Sequence, residues 1–192
     1  VAELAKETNA LTVGIVTKPF EFEGARRARV ADEGIKRLGQ HVDTLLAIPN
    51  ERLNLISEED ITAENAFQLA DDVLRLGVQS IAELITVPGE INLDFADVQA
   101  IMRDAGPAWM SIGYGVGENR AKNAAQQALT NPLLDVSIAG AQGVLFNITG
   151  GSDLKLTELH EAAKVIQREV DPDANIIFGM TTDLKMENEI KL

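Results

Sequence analysis

The chain contains no cysteine, which excludes disulfide staples and thiolate metal sites. Its only two histidines, His41 and His160, have no neighbour at metal-ligand spacing, so surface or helix-face roles are expected and no metal ligand is assigned. Trp109 is the single tryptophan, expected in the core within a strand. No apolar run approaches the roughly 18 residues that span a bilayer, and the opening VAELAKETNA lacks the basic and apolar regions of a signal peptide. A cytoplasmic location without direct membrane insertion is the expectation. Basic residues are also scarce: 17 Lys and Arg face 30 Asp and Glu, a net charge of −13. Such a chain repels polyanions, which argues against nucleic acid or an anionic membrane as partner. A single nucleotide neutralised by a metal ion remains compatible with that charge.

What is present is ordinary for a globular protein. At 192 residues, 45% hydrophobic and 24% charged, the chain suffices for one large domain or two small ones. It is organised around the stretch from Ile61 to Asp104. Ala66, Phe67, Ala70, Val73, Leu74, Gly77, Ile81, Leu84 and Ile85 keep helical spacing with no proline before Pro88. They predict a central helix of about 25 residues, roughly 37 Å long. After Pro88-Gly89 comes NLDFADV, and Val98, Ile101, Met102 and Ala105 then resume a helical period.

Asp94 and Asp97 therefore stand at a helix entry. Asp94 is suited to cap the helix and Asp97 to complement its dipole, which is a purely structural reading. The alternative is chemical. Phe67 and Asp71 lie one turn apart on one face of the long helix, where a ring stacks on a base and a carboxylate accepts from the N–H pair of guanine. About four helical turns and a loop, roughly 25 to 35 Å, separate Asp71 from Asp94, so the two are not expected to serve one site within one chain.

Around this stretch the pattern is α/β. Leu11 to Thr17 predicts a buried strand, Gly24 to Gln40 a helix with Ala28, Ala31, Ile35 and Leu38 inward, and Val42 to Ile48 a second strand. Arg26, Arg27 and Arg29 oppose the dipole at the start of that helix, so they call for anionic partners, either Glu21, Glu23 and Glu33 or a phosphate. If the two strands are parallel, their carboxyl ends gather Lys18 to Arg27 and Asn50 on one edge, the usual ligand edge of an open α/β sheet. Glu23, Arg27, Asn50, Phe67 and Asp71 then form one nucleotide pocket. Beyond Asp104, a strand within Pro107 to Val116, an Ala-rich helix from Asn119 to Thr130, strands at Gly143 to Thr149 and Ala174 to Met180, and a helix from Leu156 to Val170 predict a second α/β unit. The glycines of Gly113 to Gly117 and Gly150-Gly151 lack a phosphate-loop ending and are read as turns.

The segments VTKPF-x-FEG, IPN, AFQLADDVL, PG-x-INLDFADV, SIGYGVGENRA, ALTNPLLD and GVLFNITGG, in this order along essentially the whole chain, resemble the FtsZ family of bacterial tubulin-like cell-division GTPases. The resemblance implies a tubulin/FtsZ-like α/β fold in three parts. Residues 1–60 would end a Rossmann-like GTP-binding subdomain, 61–105 would be the central helix, acid-bearing loop and following helix, and 106–192 a second subdomain with a mixed sheet. It implies GTP/GDP as ligand with Mg²⁺, Glu23 and Arg27 on ribose and phosphates, and Asn50, Phe67 and Asp71 on ribose and guanine. Asn92, Asp94 and Asp97 would act on the GTP of a neighbouring subunit in a head-to-tail filament at the mid-cell division ring. The family's glycine-rich phosphate loop, approximately GGGTGTG, and the tail that meets division-ring partner proteins are not in these residues. The chain accordingly reads as a fragment, inactive alone. The rival readings are a non-enzymatic docking or filament-capping module and, without a glycine fingerprint to support it, a dehydrogenase-like enzyme.

Overall fold

A computed structural model describes residues 1–55, 62–130 and 138–192. The start of the central stretch at Ile61, the 60/61 boundary and most of the ALTNPLLD segment lie outside them.

The chain divides into two compact units, Val1–Ile81 with Met102–Met110, and Ala82–Ile101 with Ser111–Leu192. The expected three-part division follows elements; this one follows packing, and its first boundary falls inside the long helix.

In the first unit, helix α1 (Ala2–Glu7) precedes strand β1 (Val13–Lys18), helix α2 (Ala25–Gly39) and strand β2 (Thr44–Pro49). β1 and β2 are parallel, from Val13 opposite Thr44 to Lys18 opposite Pro49. The β-branched run of β1 suits a pleated strand. All six of its residues are nevertheless only half-buried, which corrects the expectation of a buried strand. Buried Asp43 ties the strand starts together: its carboxylate accepts from Thr12 N–H at 2.8 Å and its carbonyl from Gly106 N–H at 2.8 Å. Helix α2 has no buried residue; Ala31, Ile35 and Leu38 are half-buried as an inward stripe, whereas Ala28, expected inward, is exposed.

Helix α3 (Ala63–Thr86) is the long helix, 24 residues without interruption. In the first unit it buries Ala66, Ala70 and Val73, and at Gly77 it faces the sheet, where a Cβ would stand in ordinary contact with Ile15 at 3.4 Å. Pro88 lies just beyond it, where the missing N–H and fixed φ stop propagation.

The segment Pro107 to Val116 does not hold one strand. It supplies two, in different sheets: β3 (Gly106–Ala108) runs parallel to β2 in the order β1-β2-β3, while β4 (Tyr114–Val116) joins the second sheet. Trp109 falls between them, 36% exposed and in no strand, contrary to the core position expected. Among the described residues, the buried hydrophobic side chains of the first unit are non-aromatic except for Phe20.

In the second unit, helix α4 (Phe95–Met102, its last residue assigned to the first unit), β4, helix α5 (Arg120–Leu129), strand β5 (Gly143–Gly150), helix α6 (Leu156–Gln167), and strands β6 (Asn175–Thr182) and β7 (Glu189–Lys191) follow in order. The sheet order is β4-β7-β5-β6. β5 and β6 are parallel and β7 is antiparallel to both β4 and β5, so the sheet is mixed. Its core joins Ala121, Ala124 and Ala125 of α5 to Phe146 and Ile148 of β5 and to Leu159, Ala162 and Ile166 of α6. The alanine face of α5 permits close approach. At Gly113 and Gly115 a Cβ would lie 1.9 Å from the carbonyl oxygens of Ala124 and Arg120, so these glycines admit the helix backbone and do not make a turn. Gly117, at φ +82°, does turn the chain. No helix among the described residues is long and apolar enough to cross a membrane.

Candidate functional site

Each unit carries one group of the residues singled out in the sequence. In the first unit the carboxyl ends of β1 and β2 share an edge because the strands are parallel. Pro19 ends β1, and Glu21–Glu23 form a single 3₁₀ turn before α2. The Glu23 carboxylate is only 8% exposed and does two things: Oε1 accepts from Phe20 N–H at 2.9 Å, and Oε2 pairs with Arg27 Nε at 3.1 Å. Glu23 thus supplies the anionic partner that Arg27 needs at a helix N-terminus, while Arg26 and Arg29 stay exposed. A second tie crosses to the turn that follows β2, where the Glu51 carboxylate accepts from Glu21 N–H at 3.0 Å.

Asn50 follows β2 directly and is 4% exposed. Its Oδ1 is a buried side-chain acceptor with no hydrogen-bond partner among the described residues. An unsatisfied buried acceptor costs roughly 1–3 kcal/mol, so an arriving donor is favoured there. Phe67, on α3, is 46% exposed and meets Phe20 edge-on at 5.7 Å and Phe22 edge-on at 6.2 Å. Asp71 lies one turn further along α3, exposed to solvent. The structure therefore brings Phe67 to the turn that carries Glu23, ties that turn to the residue after Asn50, and sets Asp71 on the helix beyond Phe67. Sequence reading missed Phe20, Phe22 and Glu51. The two phenylalanines at i and i+2 after Lys18-Pro19 are the available signal.

In the second unit Asn92, Asp94 and Asp97 surround the entry to α4. Asn92 Oδ1 accepts from Gly89 N–H at 2.6 Å, which fixes the Pro-Gly corner. Asp94 Oδ1 accepts from Asp97 N–H at 2.8 Å and Asp97 Oδ2 from Asp94 N–H at 3.3 Å. The pair is a reciprocal cap, so the structural reading of these acids holds in its geometry. Leu93 and Val98 are buried and anchor the loop, leaving Asp94 exposed and Asp97 half-buried. Ile91 adds an isolated antiparallel bridge to Met180 of β6.

Among the described residues no three His, Asp or Glu side chains come together as metal ligands. The strongest charge cluster lies elsewhere in the second unit. Buried Arg120 reaches Glu158 through Nε at 2.7 Å and Nη2 at 3.0 Å, and Asp153 through Nη1 at 2.7 Å. The hydrogen bonds from Arg120 hold both carboxyls below their ordinary range, and those to Glu158 above all raise the guanidinium further. This cluster joins the N-termini of α5 and α6 and is structural.

A short parallel sheet, a long helix and a second, mixed sheet make the tubulin/FtsZ fold, and two family models match the chain in that order. The tubulin/FtsZ family GTPase domain matches residues 1–58 and the C-terminal domain of the FtsZ family residues 106–192. The chain belongs to the FtsZ family. It is 52% identical over its whole length to the cell division protein FtsZ of Caulobacter vibrioides and 51% identical over 98% of its length to that of Wolbachia pipientis. It spans 38% and 60% of those two relatives. A solved empty FtsZ dimer from M. jannaschii matches 99% of the chain at 46% identity with a TM-score of 0.88, the chain covering 55% of it.

Proposed function

We propose that this chain is part of a polymerising GTPase that builds the bacterial division ring. Glu23, Arg27, Asn50, Phe67 and Asp71 bind the ribose, phosphates and guanine of GTP in one subunit. Asn92, Asp94 and Asp97 of the next subunit complete the site, so hydrolysis takes place between head-to-tail subunits. Two unlike half-sites on one chain make a heterologous contact, and a heterologous contact that does not close makes a filament.

The observation that carries this reading is Asn50 Oδ1, a buried acceptor without a partner among the described residues, on the carboxyl edge of parallel strands. It asks for a hydroxyl or N–H donor, which a ribose offers. On α3, the exposed ring of Phe67 offers a stacking face and Asp71 an acceptor for guanine. Asp94 and Asp97 keep one carboxylate oxygen each outside the capping bonds, and these would orient the attacking water. The described residues do not form a metal cage of their own, so no step is assigned to Mg²⁺. Self-association agrees with the solved FtsZ dimer, and the cell-division role with the names of the relatives. The location follows from that role: cytoplasmic, at mid-cell, with ring partners meeting a tail outside these residues.

Residues 1–192 contain no glycine-rich phosphate cradle. As an isolated polypeptide they are expected to bind GTP weakly and not to turn it over. The test of the main reading is turnover per subunit in a full-length protein carrying this sequence. A site shared between subunits gives a rate per subunit that rises with protein concentration and then saturates. A constant rate would place the whole site in one chain.

A second reading, a non-enzymatic docking or capping module, draws support from the reciprocal cap, which by itself accounts for both aspartates at the α4 entry. It expects no turnover at any concentration.

A further inference from the structure

Phe22 is an apolar ring left 65% exposed on a three-residue turn, and burial does not explain it. Its neighbours do. It stacks on the buried Phe20 ring at 5.0 Å and 13°, and both rings stand nearly perpendicular to Phe67, at 89° and 86°. The backbone leading into Phe22 is held at two points, by Glu23 accepting from Phe20 N–H and by Glu51 accepting from Glu21 N–H. The result is a rigid two-ring bracket whose inner member is anchored in the core and whose outer member is held by the first.

We propose that Phe22 is a positioning residue for nucleotide binding, holding the Phe67 ring in the one orientation that stacks on a purine base. The inference rests on Phe67 being the base platform. A half-exposed Phe on a helix surface rotates among several rotamers, and a ligand that needs one of them must freeze the rest. Perpendicular contact with two rings selects one orientation before the ligand arrives. Phe22 thus acts through Phe67 and favours the base alone, leaving the sugar and phosphates to Glu23, Arg27 and Asn50.

The test uses a full-length protein carrying this sequence and measures by calorimetry the affinities for GDP and for ribose 5-diphosphate, which has no base. Phe22→Ala is expected to weaken GDP about three- to ten-fold, the scale of an aromatic pair, and to leave ribose 5-diphosphate unchanged. Phe22→Tyr restores GDP affinity and Phe22→Leu does not. In a Phe67→Ala background Phe22→Ala has no further effect. Equal loss for both ligands would show that the substitution merely loosens the turn, and a persisting effect in the Phe67→Ala background would show that Phe22 meets the base itself. Unchanged GDP affinity in Phe22→Ala would refute the role, provided Phe67→Ala still weakens GDP. If Phe67→Ala has no effect either, it is the base-platform reading that fails.

Discussion

Asp94 and Asp97 cap each other across the entry to α4, each carboxylate accepting from the other's backbone N–H, at 2.8 Å onto Asp94 and 3.3 Å onto Asp97. The same two side chains are thus asked to shape a helix terminus and, in the proposed function, to orient a water on another subunit's nucleotide. Substitution separates these duties. Asp97→Asn keeps an acceptor for the Asp94 N–H and loses only charge; melting temperature and nucleotide affinity should stay close to wild type while turnover in the full-length protein falls by at least ten-fold. Asp97→Ala removes the cap as well and should cost about 1 kcal/mol of stability. Equal turnover in Asp97→Asn and wild type would leave the acids with structure alone.

Asn50 offers the opposite contrast. Its buried Oδ1 has no partner among the described residues, so replacing the amide by an apolar side chain of similar size removes an unsatisfied group. Asn50→Leu should melt at or above the wild-type temperature without nucleotide and lose most of the stabilisation that GDP confers on wild type. Thermal melts with and without GDP check both halves. A variant less stable without nucleotide yet fully stabilised by GDP would mean that Asn50 is a core residue only.

The Arg120 cluster predicts an acid-labile second unit. Glu158 and Asp153 are held below their ordinary 4.5 and 3.8 by hydrogen bonds from Arg120. A depressed carboxyl contributes stability that is complete above its unfolded pKa and is lost as pH falls through the lower folded one. The melting temperature should therefore fall from about pH 4.5 downward, and less steeply in Glu158→Gln. Arg120→Ala should cost about 3 kcal/mol at neutral pH, the low end for breaking a buried ion pair, because half-exposed Asp153 is resolvated when its partner goes. Denaturant melts across pH give both results.

Gly115 tests the helix approach. A methyl there meets the Arg120 carbonyl at 1.9 Å, a backbone atom that cannot swing aside. Gly115→Ala should destabilise by about 3 kcal/mol, measured by urea unfolding, whereas Gly34→Ala, where a Cβ meets nothing within 4 Å, should be neutral or stabilising.

How far the sequence revealed this molecule depended on how local each signal was. Helix α3 was legible because its period and its Pro88 stop are written within one segment, and the α4 entry because Asp-x-x-Asp before an apolar run is a local capping pattern. Glu23 and Asn50 were legible as residues beyond the carboxyl ends of two strands, and the parallel pairing of β1 with β2 puts those ends on one edge. The division of Pro107 to Val116 between two sheets was not legible. Which partner each three-residue strand finds, β2 or β7, is decided by tertiary pairing. Trp109 was misplaced for the same reason, since the strand expected to bury it ends at Ala108. Gly113 and Gly115 looked like turn residues because sequence alone does not show a helix backbone pressed against them.

The most direct measurement of the central account mixes two inactive forms of a full-length protein carrying this sequence. One is Asp97→Asn, with an intact nucleotide pocket; the other is Phe67→Ala with Asp71→Ala, with an intact acid loop. In a filament whose sites are shared, a quarter of random contacts in an equal mixture pair the good pocket with the good loop, so GTP turnover should recover to roughly a quarter of wild type. A mixture no more active than its separate components, although both co-assemble, would contradict a site built from two subunits.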